Sequence, residues 1–170
     1  MAEFFQPLKG VFEYVDQLPT SIAIRESQYF SPYLTVSHVV VMALVAGLVL
    51  MMDLRLMGVA NMRTPFSELQ RRLFPWQMGG LVPSTATGLL LCCVDPLKYY
   101  GNVMFRVKLA LLAVAGINAL AFHWTTYRTA GRWDEDLKGV ATARRAGAVS
   151  LLLWFSVIVS GRLIAYNWFN

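Results

Sequence analysis

Residues 32–52 read Pro32-Tyr-Leu-Thr-Val-Ser-His38-Val-Val-Val-Met-Ala-Leu-Val-Ala-Gly-Leu-Val-Leu-Met-Met52. The run is about 20 predominantly apolar residues long, enough to cross a bilayer as one α-helix. His38 is its only side chain that can carry a charge near neutral pH. An imidazole inside a bilayer is costly unless it has a partner, so it marks a functional position by default. The chain has 2 histidines, and the other, His123, also lies in a segment of membrane length.

Working outward, Gln77–Val94, Leu109–Phe122 and Ala146–Gly161 also lack Asp, Glu, Lys and Arg. The last two reach spanning length as Val103–Trp124 and Ala146–Phe169 once Arg106, Lys108 and Arg162 sit near helix ends. Hydrophobic residues make up 56% of the 170 and the mean hydropathy is +0.49, a composition that excludes an ordinary soluble domain. The fold expected is an all-α integral membrane protein, a four-transmembrane-helix bundle with an N-terminal amphipathic surface helix. It forms a single membrane domain over residues 1–170, with interfacial helices at 1–31 and spans at about 32–54, 76–95, 103–127 and 145–168. Residues 1–30 do not read as a signal peptide, because Glu3, Glu13, Asp16 and Glu26 interrupt them. Phe4, Phe5, Leu8, Val11, Phe12 and Val15 alternate with the charges, as in a helix lying on a membrane. A second short helix is expected from Thr20 or Ser21 to before Pro32.

The net charge of +5 gives topology rather than nucleic-acid binding. Arg55, Arg63, Arg71 and Arg72 lie between spans 1 and 2, and Arg128, Arg132, Lys138, Arg144 and Arg145 between spans 3 and 4. The positive-inside rule makes both loops cytoplasmic and both termini external. Tyr29, Phe30, Tyr33, Tyr99, Tyr100, Tyr166, Trp168 and Phe169 fit an outer aromatic girdle, and Trp76, Trp124 and Tyr127 an inner one.

Depth then sorts the polar residues. His38 and Lys108 each lie roughly 7–8 Å below the outer edge of parallel spans. Asp53 and His123 each follow 15 residues later, about 22 Å further on and within about 60° of the same face. The expected outer level holds His38 and Lys108, joined by Arg162 and, from the surface helix, Arg25. The inner level holds Asp53 and His123. With about 20 Å between them, His38 and His123 cannot both ligate one haem iron within one chain.

Plainer accounts stand beside these. Arg162 and Lys108 can snorkel. His38 can bond a backbone carbonyl or a Thr or Ser hydroxyl, and His123 can rest at the inner interface. Asn118 suits an interhelical hydrogen bond, and Ala46-Gly47 and Ala115-Gly116 permit close helix contact. Thr85 and Thr87 can satisfy backbone opened by Pro83. Adjacent Cys92 and Cys93 read as packing residues or soft-metal donors rather than a disulfide. Thr64-Pro65 is expected to open a short cytoplasmic helix ending at Leu73. Asp134-Glu135-Asp136 reads as a solvated turn and lacks the spaced ligands of a calcium loop.

From His38 through Gly47-Leu48 the chain resembles the CopD-like four-helix bacterial membrane proteins. Ile24-Arg-Glu-Ser27, Asp53-Leu-Arg-Leu-Met-Gly58, Phe105-Arg-Val-Lys108 and Gly161-Arg-Leu-Ile-Ala-Tyr166 extend the resemblance, over nearly the whole chain, to a CopD-related family without an assigned activity. His38 ahead of Ala46-Gly47-Leu48, with Lys108 opening a later helix, is also similar to the HemJ-type protoporphyrinogen oxidases. The two basic loops depart from that pattern, so the resemblance implies haem b rather than oxidase activity. It implies a multi-pass protein of the bacterial inner (cytoplasmic) membrane with a redox or electron-transfer role. His38 would ligate the haem iron, Lys108 would be sixth ligand or propionate partner, and Arg162 and Arg25 would pair with propionates. A quinone or external redox partner, and a homo-oligomer or larger membrane complex, are compatible partners besides the bilayer. Copper handling through Cys92, Cys93, His38, Met42 and Met104 is one alternative. A non-catalytic subunit binding an anionic small molecule or lipid is another.

Overall fold

A computed structural model describes residues 2–60, 63–125 and 137–166. The expected acidic turn at Asp134-Glu135-Asp136, the basic residues Arg128 and Arg132, and the girdle residues Tyr127, Trp168 and Phe169 lie outside them. Seven helices follow in order: α1 (Ala2–Asp16), α2 (Pro19–Glu26), α3 (Phe30–Met57), α4 (Phe66–Val94), α5 (Pro96–Gly101), α6 (Val103–Thr125) and α7 (Leu137–Leu163). Four of them, α3, α4, α6 and α7, are long and apolar enough to cross a membrane. The chain is an all-α membrane bundle.

Its outer surface is what a bilayer demands. Val36, Val39, Leu44, Ile117, Leu152 and Phe155 are all more than half exposed, while Asp53, Ser84, Asn102 and Ser160 are buried. Apolar side chains face outward, as toward lipid, and the polar groups turn inside. α3 packs along α4 on one side and α7 on the other, and α7 packs along α6. α4 and α6 meet at Phe66 and Phe122, whose rings stand edge to face at 6.1 Å, and share no extended seam. Beside that contact, Met52, Phe66 and Leu69 form a core cluster with Leu56 and Leu73 packed on it.

Several boundaries move. The short cytoplasmic helix expected from Thr64 to Leu73 is the first part of α4, which continues unbroken through Pro75 and Pro83. Its N-cap residue is Pro65, with no side-chain cap. Each proline removes one backbone donor, a loss a long packed helix absorbs. α2 starts at Pro19, with Leu18 as its N-cap residue, and Ser21 is buried inside it. α3 ends at Gly58, whose φ of 77° closes the helix in the left-handed conformation. α5 was not expected; it lies between Asp95 and Asn102 and holds Tyr100 against Phe12 of α1, ring centroids 5.4 Å apart.

The glycines in close helix contact are not those the sequence suggested. A Cβ on Gly47 or Gly116 would meet nothing within 4 Å, because both sit away from the seams. Gly80 and Gly88 of α4 and Gly147 and Gly161 of α7 are the true contact points. A Cβ there would lie 2.6 Å from Val45 Cγ2, 3.2 Å from His38 Cε1, 2.9 Å from Leu56 Cβ and 3.3 Å from Lys108 Nζ, respectively.

Candidate functional site in the bundle interior

The α3/α4 seam is built as a register of polar and small residues. Along α3 run His38, Met42, Val45 and Leu48. Opposite them on α4 run Thr87 with Gly88, then Ser84, Gly80 and Gln77. Ser84 Oγ donates to Met42 Sδ at 2.7 Å, and Gln77 Nε2 donates to the Leu48 carbonyl at 3.2 Å. The spacing of three or four residues is the helical face repeat.

His38 stands at one end of this register. Its Nδ1 lies 2.9 Å from Thr87 Oγ1. Thr87 Oγ1 is also 2.7 Å from the Pro83 carbonyl and 3.1 Å from the Ser84 carbonyl. A hydroxyl has one proton, and here a carbonyl takes it. Thr87 is therefore the acceptor toward His38, and the imidazole proton sits on Nδ1. The ring is also hydrogen-bonded to the Ser84 backbone. Gly88 gives the ring its room, since a Cβ at that position would stand 3.2 Å from Cε1.

Lys108, on α6, reaches the same level from the far side of the bundle. Its Nζ rests over Gly161 of α7, and its charge acts on His38. Among the described residues its ammonium has neither a hydrogen bond nor a carboxylate. One level thus draws His38, Thr87, Lys108 and Gly161 from four different spans. The other two cations expected here are engaged elsewhere. Arg162 is exposed and turns to Tyr166, with Nη2 3.3 Å from the phenol oxygen and its guanidinium 5.3 Å from the ring centre. Arg25 pairs with Asp16, and its Nε donates to the Val94 carbonyl at 2.8 Å. It clamps the surface helices to the C-terminal end of α4, where a cation meets unpaired carbonyls and the negative end of the helix dipole.

At the other end of the bundle, Asp53 and His123 do not meet. Asp53 is buried against α7, where Ser150 is hydrogen-bonded to its carboxyl. His123 is exposed and lines a groove of about 450 Å³ with Ser67, Gln70, Arg71, Phe74 and Pro75. Asn118 Nδ2 donates to the Ala146 carbonyl at 3.3 Å, joining α6 to α7. Cys92 and Cys93 are free thiols, and no group of three His, Cys, Asp or Glu is placed to hold a metal ion among the described residues.

The sequence reading passed over Asn102, which is fully buried. Its Oδ1 accepts from the Phe105 N–H at 3.2 Å, and its Nδ2 donates to the Ile164 carbonyl at 3.4 Å. It caps α6 and ties it to the end of α7. An Asn directly ahead of an apolar helical run is the signal that could have found it.

Fold and site together define an integral membrane four-helix bundle with a histidine–lysine level in its interior. The chain belongs to DUF6644, a family of unknown function, whose model matches residues 23–167. The match takes in the four spans, α5 and the second half of α2, and leaves α1 outside. No curated protein and no solved structure matches the chain.

Proposed function

We propose that this protein binds haem b at the His38 level and serves a redox or electron-transfer role in the bacterial inner membrane. The observation that carries the reading is the state of the two interior basic side chains. His38 is held against α4 by Thr87 at Nδ1 and by the Ser84 backbone, and Lys108 has no counter-charge among the described residues. A metal-ligating imidazole is held in orientation by hydrogen bonds of this kind, which leave one ring nitrogen for the metal. An unpaired ammonium in a bundle interior is a position for an anion such as a carboxylate. Haem b supplies one-electron chemistry and carries both an iron and two carboxylates.

The residues divide the work accordingly. His38 would hold the haem iron. Thr87 fixes the imidazole tautomer and orientation. Lys108 would hold a carboxylate of the haem. Gly88 and Gly161 keep the backbone clear of both side chains. Arg162 and Arg25, occupied by Tyr166 and Asp16, are structural in this reading. The missing seam between α4 and α6 supports entry of a flat ligand from that side. The positive-inside rule applied to the basic loops supports an orientation with the histidine level near the outer face and both termini outside.

Haem titration into protein purified without it tests the reading. Wild-type protein should bind one haem per site with a Soret band, and His38→Ala should lose that band. Equal binding by wild type and His38→Ala would overturn it. Lys108-dependent binding of a carboxylate-bearing lipid or metabolite, without any haem, would favour a non-catalytic anion-binding subunit instead.

A further inference from the structure

The buried group that this reading leaves unused is Asp53. It is 4% exposed, and its Oδ2 is the one buried side-chain oxygen or nitrogen without a hydrogen-bond partner among the described residues. Ser150 of α7 is hydrogen-bonded to the carboxyl. Gly147, one turn earlier on α7, brings the helices together so closely that a Cβ there would stand 3.0 Å from the Asp53 carbonyl oxygen. We propose that Asp53 is a proton-binding carboxyl inside the membrane, seated between α3 and α7 and hydrogen-bonded to Ser150.

The described charged groups on the packed elements lie away from the carboxyl. On α3, Arg55 Nε donates to the Thr64 carbonyl at 3.0 Å. On α7, the Arg144 guanidinium lies beside Gly58, and Arg145 lines an outer groove with Asn118. On α4, Glu68 holds Arg71 and Arg72, each at 2.6 Å. On α6, His123 faces the groove lined by Ser67 and Phe74. None of them forms an ion pair with Asp53.

A carboxylate with one oxygen unmet and no counter-charge is among the costliest groups to bury. A proton removes the charge without further ligands. A metal ion would need several more oxygen donors, and the described residues hold no such group there. The site is about 22 Å from His38 along the bundle axis, for 15 residues at helical rise. It stands independently of haem.

Infrared spectroscopy in lipid nanodiscs at neutral pH tests the proposal. Wild-type protein with carbon-13 at the aspartate carboxyls should show an isotope-shifted band of a neutral carboxylic acid. Ser150→Ala should move that band to higher frequency by removing its hydrogen bond, and Asp53→Asn should abolish it. The labelled wild type decides the matter even if Asp53→Asn does not fold. A spectrum with only ionised aspartate bands, or a neutral band indifferent to both Ser150→Ala and Asp53→Asn, overturns the proposal.

Discussion

His38 was visible from sequence because one group that can carry a charge near neutral pH interrupts an apolar run. Thr87 was not visible in the role it plays. It read as a patch for the helix beside Pro83, and its hydroxyl does bond the Pro83 carbonyl. That same bond forces it to accept from His38, which only the register of α3 against α4 reveals. Orienting partners of metal-ligating histidines are typically worth about 10–100-fold in affinity. Thr87→Val is therefore expected to weaken haem binding by about that factor, while Thr87→Ser retains most of it. Haem titration of the two variants checks this; equal affinities would remove Thr87 from the site. Gly88→Ala acts on the same ring from the other side. A contact of 3.2 Å to Cε1 must be relieved by moving the imidazole, so the absorption maximum of the haem complex should shift without loss of the fold.

The number and order of the four long helices were legible from apolar runs, because a bilayer sets a minimum length, whereas α4 and α7 begin well before their apolar runs, at Phe66 and Leu137. The seams were not legible. Ala46-Gly47 and Ala115-Gly116 look like contact motifs, yet which glycine meets a neighbour depends on helix rotation. Gly80→Ala should destabilise the bundle by about 1–3 kcal/mol through overpacking against Val45. Val45→Ala should recover part of that loss. Gly47→Ala should be neutral or stabilising by up to about 1 kcal/mol, since it removes a flexible residue without meeting a neighbour. Unfolding of the three variants in mild detergent measures the contrast. Arg25 belongs to this scale as well. Arg25→Gln should speed hydrogen exchange in α1 and α2 and leave haem affinity unchanged; reduced haem affinity would return Arg25 to the site.

Across the whole molecule, the sequence made His38 and Lys108 a matched level by counting residues from span ends. Both side chains do reach one level of the bundle interior. Asp53 and His123 were matched by the same count, but rotation turns one toward α7 and the other toward α4. Depth is linear in sequence, whereas facing accumulates error with each turn. The proposed orientation rests on the positive-inside rule alone. A reporter fused after Asn170 that is active only outside the cytoplasm should therefore be active, and an inactive one would invert the topology and move the His38 level to the inner face.

The most direct measurement is the reduced-minus-oxidised absorption spectrum of the protein purified from cells with ample haem. The account predicts a Soret band and reduced b-type bands that disappear in His38→Ala while the variant remains folded in the membrane. A colourless wild-type protein, or bands unchanged by His38→Ala, would contradict it.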